Sequence, residues 1–253
     1  MSRQRSGEGE AVLIRRRYKV VGVLRVQDGY ALLEAVDITQ RETPVCLLNC
    51  YEGALLSHYA KIYASLSHED CPAYRGMFLE GETLVAVFDE CGGEPIDLLF
   101  HRGDRWTWSE RLAFAGELLH CALLLTPLPA EVGCAALLSE NLLFDASDRS
   151  FRVRYMVPPM EEMNARELAL LAGDQAKKIL PRTLLSTRAE EDFLDTLERG
   201  EYGGTVALYA AWREYEPEIR RQREEFSEKG LFGKAWTLAR RAVARRKRRE
   251  AWV

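Results

Sequence analysis

The chain of 253 residues contains no CxxC pair, and its six cysteines (Cys46, Cys50, Cys71, Cys91, Cys121 and Cys134) are scattered, mostly inside apolar runs. That spacing excludes a zinc ribbon or a disulfide framework and points to reduced core residues of a cytosolic protein. The four histidines, His58, His68, His101 and His120, show no metal-ligand spacing, so a structural or surface role is expected for each. No apolar run approaches the roughly 18 residues that a membrane-spanning helix requires. The polar start, Met1-Ser2-Arg3-Gln4-Arg5, has no hydrophobic region behind it, so no signal peptide is expected. No internal repeat or low-complexity segment is present. No Ser/His/Asp or Cys/His set falls in a recognisable local motif. Gly230-Leu231-Phe232-Gly233-Lys234 is too closely spaced for a phosphate loop and follows no apolar strand. Glu161-Glu162 and Glu190-Glu191-Asp192 read as solvated helix starts near a positive dipole end.

What is present is an ordinary globular composition, 47% hydrophobic and 29% charged, enough to bury a core. Charge is uneven. From Gly230 to Val253 eight Lys or Arg face the single acid Glu250, a net +7 against −4 for the whole chain. An acidic body with a basic end suggests that the end has a partner of its own.

Residues 1–11 are polar and are expected to be disordered. Strand-like runs follow at Tyr18–Leu24 and Tyr30–Val36, joined through Gln27-Asp28-Gly29, and an Asp-Gly between two apolar runs is a hairpin signal. Pro44–Asn49 reads as a third strand. Leu55, Leu56, Tyr59, Ile62, Tyr63 and Leu66 recur at three- and four-residue steps, predicting a helix over 52–66. Tyr74–Glu80 and Thr83–Phe88 complete five strands. A short helix is expected over Pro95–His101, and a longer one over Glu110–Leu125 with Ser109 as its N-cap. Leu142-Leu143-Phe144, the turn at Asp145–Asp148 and Phe151–Tyr155 form a second hairpin signal. Pro158-Pro159 breaks the chain. Helices are then expected over Ala165–Leu180, Ala189–Glu198, Gly204–Trp212 and Glu214–Lys229, with Gly230 a break before the basic tail.

The stretch Cys134-Ala135-Ala136-Leu137-Leu138-Ser139-Glu140-Asn141 followed by an apolar run and a hairpin resembles the catalytic loop of protein kinases. Aligned on Glu140-Asn141, the family's His, Arg and catalytic Asp fall on Cys134, Ala135 and Ala136. The metal-binding Asp-Phe-Gly falls on Tyr155-Met156-Val157, while the metal-binding Asn is present as Asn141. Other fragments fit in order. Aligned on its last glycine, Gly29, the phosphate-covering loop has Leu24 and Val26 at its other glycine positions. Val45-Cys46-Leu47-Leu48 is similar to the third-strand motif, with Leu48 in place of the phosphate-pairing Lys. Leu66-Ser67-His68-Glu69-Asp70 resembles the segment after the family's regulatory helix, whose glutamate falls near Tyr59. Leu84–Glu94 resembles the fifth strand and hinge, with Val87 as gatekeeper. Only a handful of residues separate Pro159 from the next helix, too few for a normal activation segment, and Asp174 takes the place of a structural aspartate.

The resemblance covers about residues 15–215 and implies an α+β, two-lobed protein kinase-like fold. It implies a small lobe over 12–90 with five strands and one helix. A shortened, mostly helical large lobe over 91–229 follows, and a basic amphipathic tail over 230–253. Phosphoryl transfer needs a cation on the phosphates, a carboxylate on the metal and an aspartate at the acceptor hydroxyl. Leu48, Tyr155 and Ala136 supply none of these. Asn141 alone is a poor site for a cation that prefers several oxygens, and the plainer reading is a turn residue bonding backbone. Gly29, Val87 and Asn141 would then line a vestigial cleft filled by apolar side chains. No catalysis, cofactor or metal is expected.

The reading is a pseudokinase acting as a scaffold or regulatory module with an unidentified protein partner. A divergent bacterial Ser/Thr kinase with residual ATP binding is the alternative. In the tail, Trp236, Ala239 and Val243 sit at helical steps among Lys234, Arg240, Arg241, Arg245, Arg246, Lys247, Arg248 and Arg249. This pattern suits an anionic membrane surface ahead of nucleic acid. The short large lobe and basic end are similar to the cytoplasmic pseudokinase domain of the bacterial type VII secretion membrane component. That likeness implies a cytoplasmic protein, peripheral at the inner face of the membrane.

Overall fold

A computed structural model describes residues 12–101, 103–161 and 163–250; within the last helix the side chains of 231, 234, 237 and 244–250 are outside the description. The expected disorder of residues 1–11 therefore lies outside the described residues. In chain order the elements are β1 (Leu13–Ile14), β2 (Tyr18–Gln27), β3 (Tyr30–Asp37), β4 (Val45–Tyr51), α1 (Ala54–Ala64), β5 (Tyr74–Glu80), β6 (Thr83–Asp89), β7 (Glu94–Pro95) and α2 (Ile96–Leu99). They continue as α3 (Trp108–Leu124), α4 (Ala130–Ala136), β8 (Leu142–Asp145), β9 (Ser150–Val153), α5 (Ala165–Ile179), α6 (Arg188–Arg199), α7 (Thr205–Glu228) and α8 (Leu231–Glu250). The chain divides into two compact units, Met1–Pro95 with Pro127–Met163 and Ile96–Thr126 with Asn164–Val253.

The first unit is built on a six-stranded antiparallel sheet in the order β1-β2-β3-β4-β6-β5. The two-residue β1 adds a sixth strand to the five expected. The sheet curls until β2 approaches β5, where Tyr18 stacks on Phe78 at 5.9 Å. Alternation along β4 divides its side chains between two faces. Cys46, Leu48 and Cys50 join Tyr18, Ala35, Val85 and Val87 in an apolar cluster inside the curl. Leu47, Asn49 and Tyr51 point the other way, and α1 packs on their face through Tyr59 and Tyr63, both stacked or tilted against Tyr51. Asp28-Gly29 makes the β2–β3 turn. Gly29 has φ 66°, and a Cβ there would sit 3.1 Å from Leu55 of α1, so the turn requires glycine twice over. A separate three-stranded sheet, β7-β8-β9, carries the second hairpin.

The second unit is helical. Its N-termini are capped by side chains: Thr107 and Glu110 form a capping box on α3, Thr187 and Glu190 another on α6, and Asn164 accepts from Arg166 and Glu167 at the start of α5. The α3 cap is thus Thr107, two residues ahead of the expected Ser109, because only Thr107 has an acidic residue three positions on to complete the box. Gly200 ends α6 at φ 60°, where a Cβ would meet Leu170 at 2.8 Å. Trp212 of α7 is buried against Gly116 of α3, where an added Cβ would stand 3.1 Å from its Nε1, and it packs on Phe193 at 5.2 Å. The Arg111 guanidinium donates to the Ile179 carbonyl at 2.6 Å, joining α3 to the C-terminus of α5.

Two expectations about this unit change. The helices expected over Gly204–Trp212 and Glu214–Lys229 are one continuous helix, α7, which carries Pro217 internally. Asp174 is exposed and pairs with Lys177 of its own helix at 2.7 Å, so it anchors nothing. The break at Gly230 is present between α7 and α8. Among the described residues no helix is long and apolar enough to cross a membrane.

Candidate functional site

The positions that would carry phosphoryl transfer fall within the first unit, between β4, α1, the end of α4 and residues 154–160. The catalytic cation of the family pairs with a glutamate of the regulatory helix, so its position must lie on the sheet face that α1 covers. The pleat sets two of the expected positions apart from that face. Leu48 and Val87 belong to the cluster inside the curl, on the opposite face. Facing α1 are Asn49 and, on β6, Ala86 and Phe88, with Asn49 directly opposite Ala86.

Asn49 is fully buried and its amide makes three hydrogen bonds. Its Oδ1 accepts from the Tyr30 hydroxyl at 2.9 Å and from the Val157 N–H at 2.8 Å, and its Nδ2 donates to the Tyr155 carbonyl at 3.0 Å. The neighbouring tyrosines hold the same segment. Tyr51 donates to the Val157 carbonyl at 2.7 Å and its hydroxyl lies 2.7 Å from that of Tyr63. Tyr59, at the place of the regulatory glutamate, donates to the Pro158 carbonyl at 3.2 Å and accepts from the Met160 N–H at 3.3 Å. The rings themselves fill the space: Tyr51 stacks on Tyr59 with centroids 4.0 Å apart, and Tyr155 stacks on Phe88 at 5.2 Å. Burial pushes the Tyr59 phenol up to about 12 and the phenols of Tyr30, Tyr51 and Tyr63 well above their usual range.

The catalytic-loop positions are equally committed. Cys134, Ala135 and Ala136 are wholly buried in the last turn of α4. Asn141 is buried too. Its Nδ2 donates to the carbonyls of Ala135 and Met156, both at 2.7 Å, while its Oδ1 is buried without a hydrogen-bond partner. Asn141 thus clamps the end of α4 to the segment after β9, which reaches beyond the local turn expected of it. Gly29 sits in the tight β2–β3 turn, and Leu24 and Val26 of β2 are exposed. Near this turn, Arg25 Nη2 donates to both carboxylate oxygens of Glu140, at 2.8 and 2.7 Å, so a charge pair links β2 to the residue preceding Asn141. Glu90 is paired with Arg154, and burial still raises its carboxyl above the usual range.

Sequence reasoning passed over Asn49, Tyr30, Tyr51 and the Arg25–Glu140 pair. Asn49 carried a usable signal: a lone amide inside the apolar run Val45–Cys50 must find buried partners if that run is a central strand. Among the described residues no group of three or more His, Cys, Asp or Glu is placed to hold a metal ion.

In the tail, Arg240 is exposed, but Arg241 is engaged within its own unit. It donates to the Leu185 carbonyl at 3.0 Å and lies 5.0 Å over the Phe226 ring. Arg241, one of the residues expected to meet an anionic surface, thus already has partners in the second unit. The side chains of Lys234, Arg245, Arg246, Lys247, Arg248 and Arg249 lie outside the described residues.

No family model matches the chain, and no curated protein matches it. Solved structures do. The kinase domain of Mycobacterium tuberculosis PknI, as a double mutant, superposes with a TM-score of 0.55 at 12% identity, covering 85% of this chain and 99% of that one. Rad53 in complex with AMP-PNP gives a TM-score of 0.52 at 10% identity, covering 78% of this chain and 65% of that one. With the element order and the curled sheet above, these similarities establish that the chain has a protein kinase-like fold.

Proposed function

We propose that this chain is a catalytically inactive kinase-like protein, a pseudokinase that serves as a scaffold or regulatory binding module. The observation that carries this reading is that the groups at the cation, metal and acceptor positions are already committed to the fold. Asn49 is engaged by Tyr30, Tyr155 and Val157, Tyr155 is stacked on Phe88, and Ala136 is buried and has no proton acceptor. Phosphoryl transfer is mostly positioning and charge stabilisation, and a neutral amide, a phenol and a methyl supply neither. The Arg25–Glu140 pair adds a second obstacle, because a phosphate would have to compete with Glu140 for Arg25.

On this reading the protein works through its surfaces, with a protein partner. The basic residues of the tail, the exposed Arg240 among them, contact an anionic surface, for which a membrane is favoured over nucleic acid. The likeness to the type VII secretion pseudokinase supports a cytoplasmic location at the inner face of the membrane.

A thermal-shift titration of the full chain with ATP and Mg²⁺ or Mn²⁺ tests the first part. No shift at millimolar nucleotide is expected, since a ligand bound by the native state alone must raise stability. A metal-dependent shift would instead support a divergent Ser/Thr kinase with residual ATP binding. The observation favouring that second reading is the similarity to a structure that holds AMP-PNP. For the tail, salt-sensitive binding to anionic vesicles that is lost on removing residues 230–253 is expected. Equal binding without the tail would refute it.

A further inference from the structure

The second unit contains a cavity of about 990 Å³, walled by the α2–α3 connection, the chain after α5, and single residues of α6 and α7. One side is aromatic. Phe100 and Trp106 stack with centroids 5.8 Å apart, and the Trp106 indole is fixed by donating to the Leu99 carbonyl at 3.1 Å. Trp108 is covered on one face by Arg223, whose guanidinium carbon lies 4.7 Å over the ring. The other side is cationic. The lining includes five Lys or Arg and three acids, and each acid is already paired. Asp97 meets Lys178 at 2.6 Å, Asp104 meets Arg111, and Glu190 meets Arg223 at 3.1 Å. The two remaining cations, Lys177 and Arg182, pair with acids beside the lining, Asp174 at 2.7 Å and Asp195 and Glu198 at 2.5 and 3.1 Å, so the wall is dense in cations whose charge is locally matched.

Two further groups point the same way. Trp108 Nε1 and Arg223 Nε are buried and have no hydrogen-bond partner, and both are donors. Buried donors without acceptors are costly, and an acceptor-rich ligand is the kind that relieves them. A cationic ligand would gain from the rings but, bringing no acceptor, would not answer the two donors. A wholly apolar one would leave the donors unanswered. The volume is in the range of small-molecule sites.

We propose that this cavity binds a small organic anion, a carboxylate or phosphate carried on a flat aromatic body. The body lies along Phe100 and Trp106, and the acidic group faces Lys178, Arg182 and the Arg223 edge. This site is independent of the vestigial cleft in the first unit and does not rest on the inactivity of the protein.

The test titrates the full chain with 2-naphthoate, 2-naphthyl phosphate, 2-naphthol and 2-naphthylmethylammonium, following tryptophan fluorescence and, in parallel, calorimetry. Saturable one-to-one binding is expected for at least one anion, about tenfold tighter than for the neutral and cationic probes, as one charge-assisted contact would give. The ratio of the two anions tells carboxylate from phosphate. Leu185→Glu, at an exposed rim position, is expected to weaken the anion about tenfold and leave 2-naphthol unchanged. Lys178→Gln is expected to act in the same direction to a smaller extent. Equal binding of all four probes, no saturable binding, or anion binding that is indifferent to both substitutions in folded protein would overturn the assignment.

Discussion

Beneath the six-stranded sheet the interior is filled by phenol rings whose hydroxyls donate to main-chain carbonyls of residues 157 and 158. In the helical unit the interior is held by aliphatic packing, capping boxes and charge pairs at helix ends, and a cavity lined by tryptophan and arginine remains. The first arrangement leaves the acceptor of Asn141 without a hydrogen bond at the family's catalytic positions; the second leaves two donors so beside an open space. The difference teaches where a kinase-like chain can lose chemistry and where it can still hold a ligand. Polar side chains that satisfy the backbone are no longer available to a substrate.

The strongest way to break that contrast is Leu48→Lys. It puts an ammonium inside the curl, among Tyr18, Val85 and Val87, away from α1. A loss on the order of 4 kcal/mol in urea unfolding is expected, with no gain in nucleotide binding. A gain in ATP affinity would show that Leu48, not Asn49, occupies the cation position. Next comes Asn49→Leu, of similar volume. It strands the Tyr30 hydroxyl, the Val157 N–H and the Tyr155 carbonyl, for an expected cost of about 3 kcal/mol by the same measurement. Near-neutrality would mean that the segment after β9 is held by the rings alone.

Tyr51→Phe keeps the ring and removes the hydroxyl between Val157 and Tyr63, so about 1 kcal/mol is expected. The same web predicts an alkaline limit. Because burial raises these phenols, the folded state favours the neutral form. The contribution is complete below the ordinary phenol value of 10.0 and is lost as pH rises towards the Tyr59 value of about 12. Absorbance at the phenolate band should show these tyrosines ionising together with unfolding; free titration near pH 10.0 would contradict their burial. The smallest effect expected is that of Arg25→Ala. Its ion pair with Glu140 is partly exposed, and less than about 1 kcal/mol should be lost.

Much of the fold was legible because its signals are local. Asp28-Gly29 specified a tight turn, the three- and four-residue steps of Tyr59, Ile62 and Tyr63 specified a helix, and Gly230 marked a break. Register was harder. Matching Val45-Cys46-Leu47-Leu48 to a motif is blind to which face each residue takes, and a slip of one residue in a strand exchanges the faces. Hence the motif match falls on Leu48, whereas the neighbouring Asn49 is on the face that α1 covers. The tyrosine web was invisible for a different reason: Tyr51 and Tyr59 meet carbonyls about a hundred positions away, and no local pattern encodes such a partner. The helices expected over Gly204–Trp212 and Glu214–Lys229 are one, because Arg213 between them is no helix breaker.

Tethering residues 155–160 to the sheet also bears on regulation. In an active kinase the corresponding stretch is a switch, a segment that changes order when it is phosphorylated. Here it is short, opens on Tyr155, Met156 and Val157, and is bound by Asn49, Tyr51 and Tyr59 through its own main chain. Releasing it would mean breaking these bonds from the small sheet's interior, so any change of order in this segment is coupled to the stability of the first unit.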